Sequence, residues 1–282
     1  MTPQVIHLAH SPDSDDAFMF YALATGKIDT DGVEYVHELQ DIETLNQRAI
    51  RGELEVTAVS IHAYSYISDR YALLSHGASM GDRYGPRLVA TSPLTRDTIV
   101  GKRVAVPGPL TSAYLALRLY QPEFEPVFMA FDRIEDSVLA GEVDAGLLIH
   151  EGQLTYASRG LHLVADMGEW WFEETGLPLP LGGNVIRKDL DDSLKRTVSR
   201  QLRQSIAYGL DHRQHALDHA MRYARGLDRD DADTFVGMYV NDWTLDYGDK
   251  GREAIRLFLE RGVDAGVIAN PVTVEFVDDE SP

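Results

Sequence analysis

Short apolar segments of strand length alternate with amphipathic segments of helix length, and this rhythm constrains the chain more than any other feature. It runs twice and is interrupted by two extended, proline-containing passages. Val5 to Ala9, Val33 to Glu38 and LEVTAVS read as strands. AFMFYALATG, closed by Gly26, and Ile42 to Arg51, closed by Gly52, read as helices ending on a residue free to turn left-handed. YALLSHGASM and RLVATS continue the strands. From Gly101 the rhythm resumes: KRVAVPG, PVFMAF and VDAGLLIH as strands, TSAYLALRLY and DRIEDSVLAGE as helices, and LHLVADMG as a strand before Trp170-Trp171. Alternation of this kind predicts α/β architecture with largely parallel sheets. ATSPL near residue 92 and LPLPLG near residue 180 carry the chain between halves. Two crossings predict one discontinuous lobe, residues 1–93 with 183–282, and a smaller lobe, residues 94–182. In such sheets ligands bind outside the carboxyl ends of the strands, in the crevice between lobes. The stretch DSLKRTVSRQLRQSIAYGLDHRQHALDHAMRYARG is too long for one helix, and Gly209-Leu210-Asp211 is its expected break. VTVEFV reads as a last strand and DDESP as a frayed acidic tail.

Charge narrows the partners. A formal net charge of −19 and a pI near 4.8 repel phosphate backbones and anionic lipid, so neither nucleic acid nor a membrane is expected as a partner. A small anionic substrate remains open, because local donors in a cleft override the global sign. The absence of cysteine removes disulfides, thiolate catalysis and cysteine-ligated zinc together. MTPQVIHLAH has neither a basic n-region nor a long apolar h-region. No run approaches the roughly 20 apolar residues that span a bilayer. The expectation is a soluble, cytoplasmic protein.

Four segments follow strands and carry polar groups. In His10-Ser11-Pro12-Asp13-Ser14-Asp15-Asp16, Asp15 or Asp16 is expected to cap the helix beginning near Ala17. The spacing is not that of a calcium loop, so no metal is expected there. Ser60, where a strand turns into a helix, can cap or can offer its hydroxyl and N–H to a ligand. Nearby His62 is expected to face solvent or pack locally. Gly108-Pro109-Leu110-Thr111-Ser112-Ala113-Tyr114 delivers two hydroxyls to a helix N-terminus. Free N–H groups and the positive end of the helix dipole suit an anion there. Without a GK[ST] ending it is no triphosphate loop, and a carboxylate fits it better. Finally, VDAGLLIHEGQLTY ends an apolar run in His150 and Glu151. His150 is either a hydrogen-bonded structural histidine or a base at the mouth of a cleft. No nucleophile-elbow serine accompanies it, so no serine triad is evident.

Taken in order, SPDSDDAFMFYALATGKI, DIETLNQRAIRGELEVTAVS, DRYALLSHGASMG, GPRLVA, VAVPGPLTSAYLALRLY, GLLIHEGQLTY and TGLPLPLGGNVIRKDL resemble the 1,4-dihydroxy-6-naphthoate synthases of the futalosine route to menaquinone. The resemblance runs from about residue 5 to residue 260, and its IHE-x-x-x-TY and TGLPLPLG segments are not generic α/β features. It implies the two-lobed α/β fold of type II periplasmic binding proteins, with a cleft between lobes and two crossover segments. It implies a lyase that converts cyclic dehypoxanthinyl futalosine to 1,4-dihydroxy-6-naphthoate without metal or organic cofactor. The histidine proposed as base in that family falls on His150. The ligand-contacting positions fall on Asn46, Ser60, Thr111 and Ser112, and Ser11 joins them as a candidate substrate contact. One segment departs from the family. Where members commonly carry SPCPND, this chain has SPDSDD, so Asp13 stands for a thiol, Ser14 for a proline and Asp15 for an amide. Two added carboxylates near an anionic substrate cost affinity unless they are paired or turned away. Two other readings share the fold: a chorismate-dehydratase-like enzyme, against which IHE-x-x-x-TY argues, and a non-catalytic small-carboxylate-binding protein. The missing export signal and lipid-anchor cysteine argue against the latter.

Overall fold

The computed structural model describes residues 4–224 and 228–279. The first three residues of MTPQVIHLAH, residues 225–227 and the last three residues of the acidic tail lie outside the described residues. Along the chain, β1 (Gln4–His10) leads to α1 (Ser14–Met19), α2 (Tyr21–Ala24), β2 (Val33–Leu39), α3 (Ile42–Arg51) and β3 (Val56–Ser60). Then come α4 (Ile61–Tyr64), β4 (Tyr71–Leu74) and β5 (Ser79–Gly81). The alternation resumes with β6 (Arg87–Ala90), β7 (Arg103–Val106), α5 (Ser112–Tyr120), β8 (Glu125–Phe128), α6 (Phe131–Leu139) and β9 (Ala145–Leu148). It continues with α7 (Gly152–Thr155), β10 (His162–Asp166), α8 (Met167–Thr175) and β11 (Leu179–Arg187). The C-terminal part holds α9 (Asp192–Asp211), α10 (Arg213–Ala220), α11 (Arg229–Tyr239), α12 (Asp242–Leu245), α13 (Gly248–Asp264) and β12 (Phe276–Val277).

The strands form two sheets. One has the order β12-β4-β11-β3-β1-β2, with β5 beside β11; the other has the order β10-β6-β9-β7-β8. In the first, β1 runs parallel to β2 and β3; in the second, β7 runs parallel to β8 and β9. Both sheets are mixed rather than largely parallel. The strand that enters each sheet after a crossing is the antiparallel one. β6 lies antiparallel to β9 and β10, and β11 lies antiparallel to β3, β4 and β5. Such strands arrive from the other lobe and not through a strand–helix–strand unit, which is what enforces parallel pairing. The passages between sheets therefore fall at residues 82–86 and 167–178. Residues 87–90 and 179–182 sit in the opposite sheet from the one that boundaries at 93/94 and 182/183 assign them. Leu179-Pro180-Leu181 is the start of a strand and not a linker.

Local chemistry explains most elements. Asp41 caps α3 by accepting from the Thr44 N–H at 3.0 Å, and Gly52 closes it at φ 71°. The α6 helix lies close on β9 because Gly146 has no side chain. A Cβ there would stand 2.6 Å from Ile134 Cγ2 and 2.7 Å from Val138 Cγ2. One apolar core gathers around Tyr71, Trp171, Tyr247 and Phe258, another around Phe18, Phe20 and Phe235.

Several expectations change in detail. AFMFYALATG is two short helices, α1 and α2, meeting at Phe20. The long C-terminal stretch breaks at His212, not at Gly209, because Gly209 is a packing position inside α9. A Cβ at Gly209 would lie 3.2 Å from Phe18. VTVEFV pairs only through Phe276 and Val277, parallel to β4. The tail is anchored rather than frayed at its first two residues. Asp278 pairs with Arg252 and accepts from Ser75, and Asp279 faces His76 at 3.3 Å.

Candidate active site

Four strand ends converge on one cleft. Ser11 and Asp13 follow β1, Ser60 ends β3, Thr111 and Ser112 follow β7, and Ile149 and His150 follow β9; all line a space of about 760 Å³, open solvent at its mouth included. Gly182, Gly183 and Asn184 of β11 supply one wall, and Phe235 and Tyr239 of α11 another.

His150 is held by the turn that follows β9, where the Gln153 N–H donates to its carbonyl at 2.8 Å. Its ring meets Phe131 edge-on, with centroids 4.0 Å apart. Nδ1 lies 3.3 Å from Asp13 Oδ2. The side chain keeps 15% of its surface exposed, and it faces the cleft. The other two histidines near these strand ends differ. His10 stacks on Phe20 at 4.4 Å, and burial, then His37, push it down to about 3. His62 is buried and packs locally, beside Tyr66, the second of its two expected placements, and burial pushes it down to about 4. Both stay neutral in the ordinary pH range, and neither lines the cleft.

The acidic turn behaves differently from the expectation that Asp15 or Asp16 caps a helix near Ala17. The helix starts earlier, at Ser14, and Asp13 holds the cap position without a side-chain capping bond. Asp16, in the first turn, reaches back to accept from the Ser11 N–H at 2.7 Å. Ser11 Oγ donates to Asp13 Oδ2 and accepts from the Asp13 N–H at 3.1 Å. Ser11 thus ties both carboxylates down. Burial raises Asp15 well above the ordinary carboxylate value, and the charges of Asp16 and Asp13 raise it further. Burial pushes Asp16 up to about 7, against the Ser11 bond that lowers it. Among the described residues no group of three His, Cys, Asp or Glu can hold a metal ion.

Asp16 carries a pH prediction. A carboxyl raised on folding binds its proton more tightly in the folded chain. Its contribution is therefore full below the ordinary value of 3.8 and is lost as pH rises toward about 7. Asp16→Asn keeps an acceptor for the Ser11 N–H and has no proton to lose. Its stability relative to wild type should rise between those pH values and level off above them, read from urea midpoints at several pH values. A difference that stays flat or falls contradicts the assignment.

The remaining candidates divide into contacts and supports. Ser60 faces the cleft; its N–H donates to Asn46 Oδ1 at 2.9 Å, and its Oγ accepts from Asn46 Nδ2 at 3.2 Å. Asn46 is fully buried behind Ser60 and does not line the cleft. Thr111 caps α5, accepting from the Tyr114 N–H at 3.2 Å and donating to the Gly108 carbonyl at 3.0 Å. Its hydroxyl is therefore engaged. Ser112 Oγ accepts from the His62 N–H at 3.1 Å, which leaves its own proton to donate. The first-turn N–H groups of Ser112 and Ala113 have no acceptor within the helix. Contacts at the cleft also join the lobes. His62 meets Ser112, Leu110 N–H donates to Glu43 Oε2 at 3.4 Å, and Asp13 meets His150. The sequence did not single out Gln153 and Tyr239, which line the cleft and share a 2.8 Å hydrogen bond, nor Asn184. Gln153 lies inside the IHE-x-x-x-TY segment, a signal that was available. Asn184 lies inside TGLPLPLGGNVIRKDL, a second available signal, and Tyr239 carries no local motif.

Comparison with known proteins bears on this geometry. A family model described as menaquinone biosynthesis matches residues 6–264. The 1,4-dihydroxy-6-naphtoate synthase of Thermus thermophilus is 43% identical over 258 residues, covering 91% of this chain and 94% of its own. The protein of the same name from Streptomyces coelicolor is 38% identical over 274 residues, covering 95% of this chain and 96% of its own. A solved protein of Archaeoglobus fulgidus superposes with a TM-score of 0.91 at 50% identity, over 94% of this chain and 98% of that one. The alkanesulfonate-binding protein SsuA of Xanthomonas axonopodis pv. citri, solved with MOPS bound, shares the fold alone. Its TM-score is 0.73 at 11% identity, over 97% of each chain. The two-lobed α/β architecture is thus that of periplasmic binding proteins. On the strength of a family model and relatives that span nearly its whole length, this chain belongs to the menaquinone-biosynthesis family.

Proposed function

We propose that the protein is a lyase that converts cyclic dehypoxanthinyl futalosine to 1,4-dihydroxy-6-naphthoate, with His150 as the base that starts the reaction. The observation that carries this reading is the position of His150. It follows a buried strand, lines the interlobe cleft and keeps part of its side chain accessible, while His10 and His62 are walled in. A neutral imidazole in that position takes a proton from substrate carbon; the electron pair left behind drives fragmentation, and loss of the fragment aromatises the ring. The substrate carboxylate sits at the N-terminus of α5, against the N–H groups of Ser112 and Ala113 and the Ser112 hydroxyl. Contact between the lobes excludes water from the reacting carbon. The names of the two relatives support the product assignment.

Purified protein should release 1,4-dihydroxy-6-naphthoate, identified by mass, from cyclic dehypoxanthinyl futalosine. Chorismate offered in parallel should be left unchanged. Turnover of chorismate alone moves the chain to the dehydratase reading, and binding of either compound without turnover moves it to a carboxylate-binding protein. Ser112→Ala should weaken binding by about 1.5–3 kcal/mol, the range for a hydrogen bond to a charged group, and should leave kcat nearly unchanged. A wild-type KM in that variant places the carboxylate elsewhere.

A further inference from the structure

The geometry points to Asp13 as the positioning residue of His150, a pair assembled across the cleft from opposite lobes. This inference rests on the proposed role of His150 as base. Asp13 follows β1 in the seven-stranded lobe, and His150 follows β9 in the five-stranded lobe. Yet Asp13 Oδ2 lies 3.3 Å from His150 Nδ1, at the distance of an ion pair. Both side chains are largely shielded, with 5% and 15% of their surface exposed, so the interaction is weakly screened by solvent. Asp13 is itself held in place, since the Ser11 hydroxyl donates to the same Oδ2 that faces the ring. Phe131 fixes the ring from another side at 4.0 Å.

The chemistry follows from where the carboxylate sits. A carboxylate accepts and cannot donate, so it favours the tautomer with hydrogen on Nδ1. Nε2 then carries the lone pair and is the nitrogen left for substrate. When Nε2 takes the proton, the ring becomes a cation beside a fixed anion, and the Nδ1 proton stays in place. The carboxylate orients the ring and stabilises the imidazolium without accepting a proton itself, which is the role of the aspartate in serine-protease triads. Asp15 and Asp16 of α1 line the same cleft, Glu151 is next in the chain, and Glu135 of α6 pairs with Arg159. The SPDSDD departure thus gains a use. One of its two added carboxylates is paired with the base.

Asp13→Asn keeps the shape but offers an amide that can donate to Nδ1 and so favours the other tautomer. In the full chain kcat should fall at least about tenfold while KM moves less than about threefold, because the defect lies in the base and not in binding. In a His150→Asn background the same change should cost nothing further, since the two residues act as a unit. Imidazole nitrogen shifts in the wild-type NMR spectrum should show the neutral His150 ring protonated at Nδ1, a readout that needs no variant to fold. The pairing is overturned by an Asp13→Asn kcat within threefold of wild type, by the same fold loss with His150 absent, or by a neutral ring protonated at Nε2. If His150→Asn itself keeps turnover, the base assignment fails. If His150→Asn is inactive and Asp13→Asn is not, only the pairing fails.

Discussion

Gly168→Ala is expected to destabilise the protein by about 3 kcal/mol, the upper part of the range for overpacking a closed site. The cause is backbone, not side chain. A Cβ on Gly168 would stand 1.8 Å from the Tyr84 carbonyl oxygen and 2.1 Å from its carbon. No flexible group is there to move aside. The contact is reciprocal, since a Cβ on Gly85 would lie 2.8 Å from the Gly168 nitrogen. The two passages between the lobes therefore touch backbone to backbone, and the Met167 N–H donates across to the Pro86 carbonyl at 2.9 Å. Forcing them apart also strains the Arg87–Asp166 ion pair beside them, where Asp166 caps α8 by accepting from the Gly168 N–H at 2.9 Å. Gly237→Ala is the control. Its Cβ would meet only the flexible end of Arg213, at 3.3 Å, and alanine is the better helix former by about 1 kcal/mol. Urea unfolding should show a large fall in midpoint for Gly168→Ala and none for Gly237→Ala. A Gly168→Ala midpoint equal to wild type contradicts the close approach of the two passages.

This crossing also shows what the sequence could and could not disclose. The strands were legible because each is an apolar run of the right length between turn signals. The existence of two passages was legible from ATSPL and LPLPLG. Their positions were not, because sheet membership is decided by pairing. RLVA joins β9 and β10, and LPLGGNVIR joins β3 and β4, and neither partner choice is written in the segment itself. The cleft position of His150 was legible as the polar end of a buried apolar run, and the resemblance supplied the role proposed for it. The resemblance also drew Asn46 and Ser60 together as ligand contacts. Only Ser60 reaches the cleft, because complementary hydrogen bonds hold Asn46 behind it. Asp15 and Asp16 were read as caps because residue type favours that, but the helix starts at Ser14 and leaves both carboxyls inside its first turn. The pairing of Asp13 with His150 joins two lobes, and no local pattern encodes such a contact.

His150→Asn is expected to bind substrate and to lose most turnover. A single general base is typically worth about 10²–10⁴-fold. Asparagine is the informative replacement, because it keeps a polar group of similar reach but cannot accept a proton at neutral pH. The ring's packing against Phe131 is lost, so a modest fall in stability accompanies the change, and it is measured separately by urea unfolding. A structural histidine predicts the reverse pattern: a less stable chain whose turnover per folded molecule is intact. Glu151, with one carboxylate oxygen buried and lacking a hydrogen-bond partner among the described residues, is assigned no step.

The most direct measurement is a single-turnover rate at saturating cyclic dehypoxanthinyl futalosine, with naphthoate followed by mass, for wild type and His150→Asn side by side. Saturation removes binding from the comparison, and counting folded protein removes stability. A loss of about 100-fold or more in the variant, with substrate still bound, is the predicted result. Turnover within about threefold of wild type, far below that general-base range, would contradict the assignment of His150 as the base.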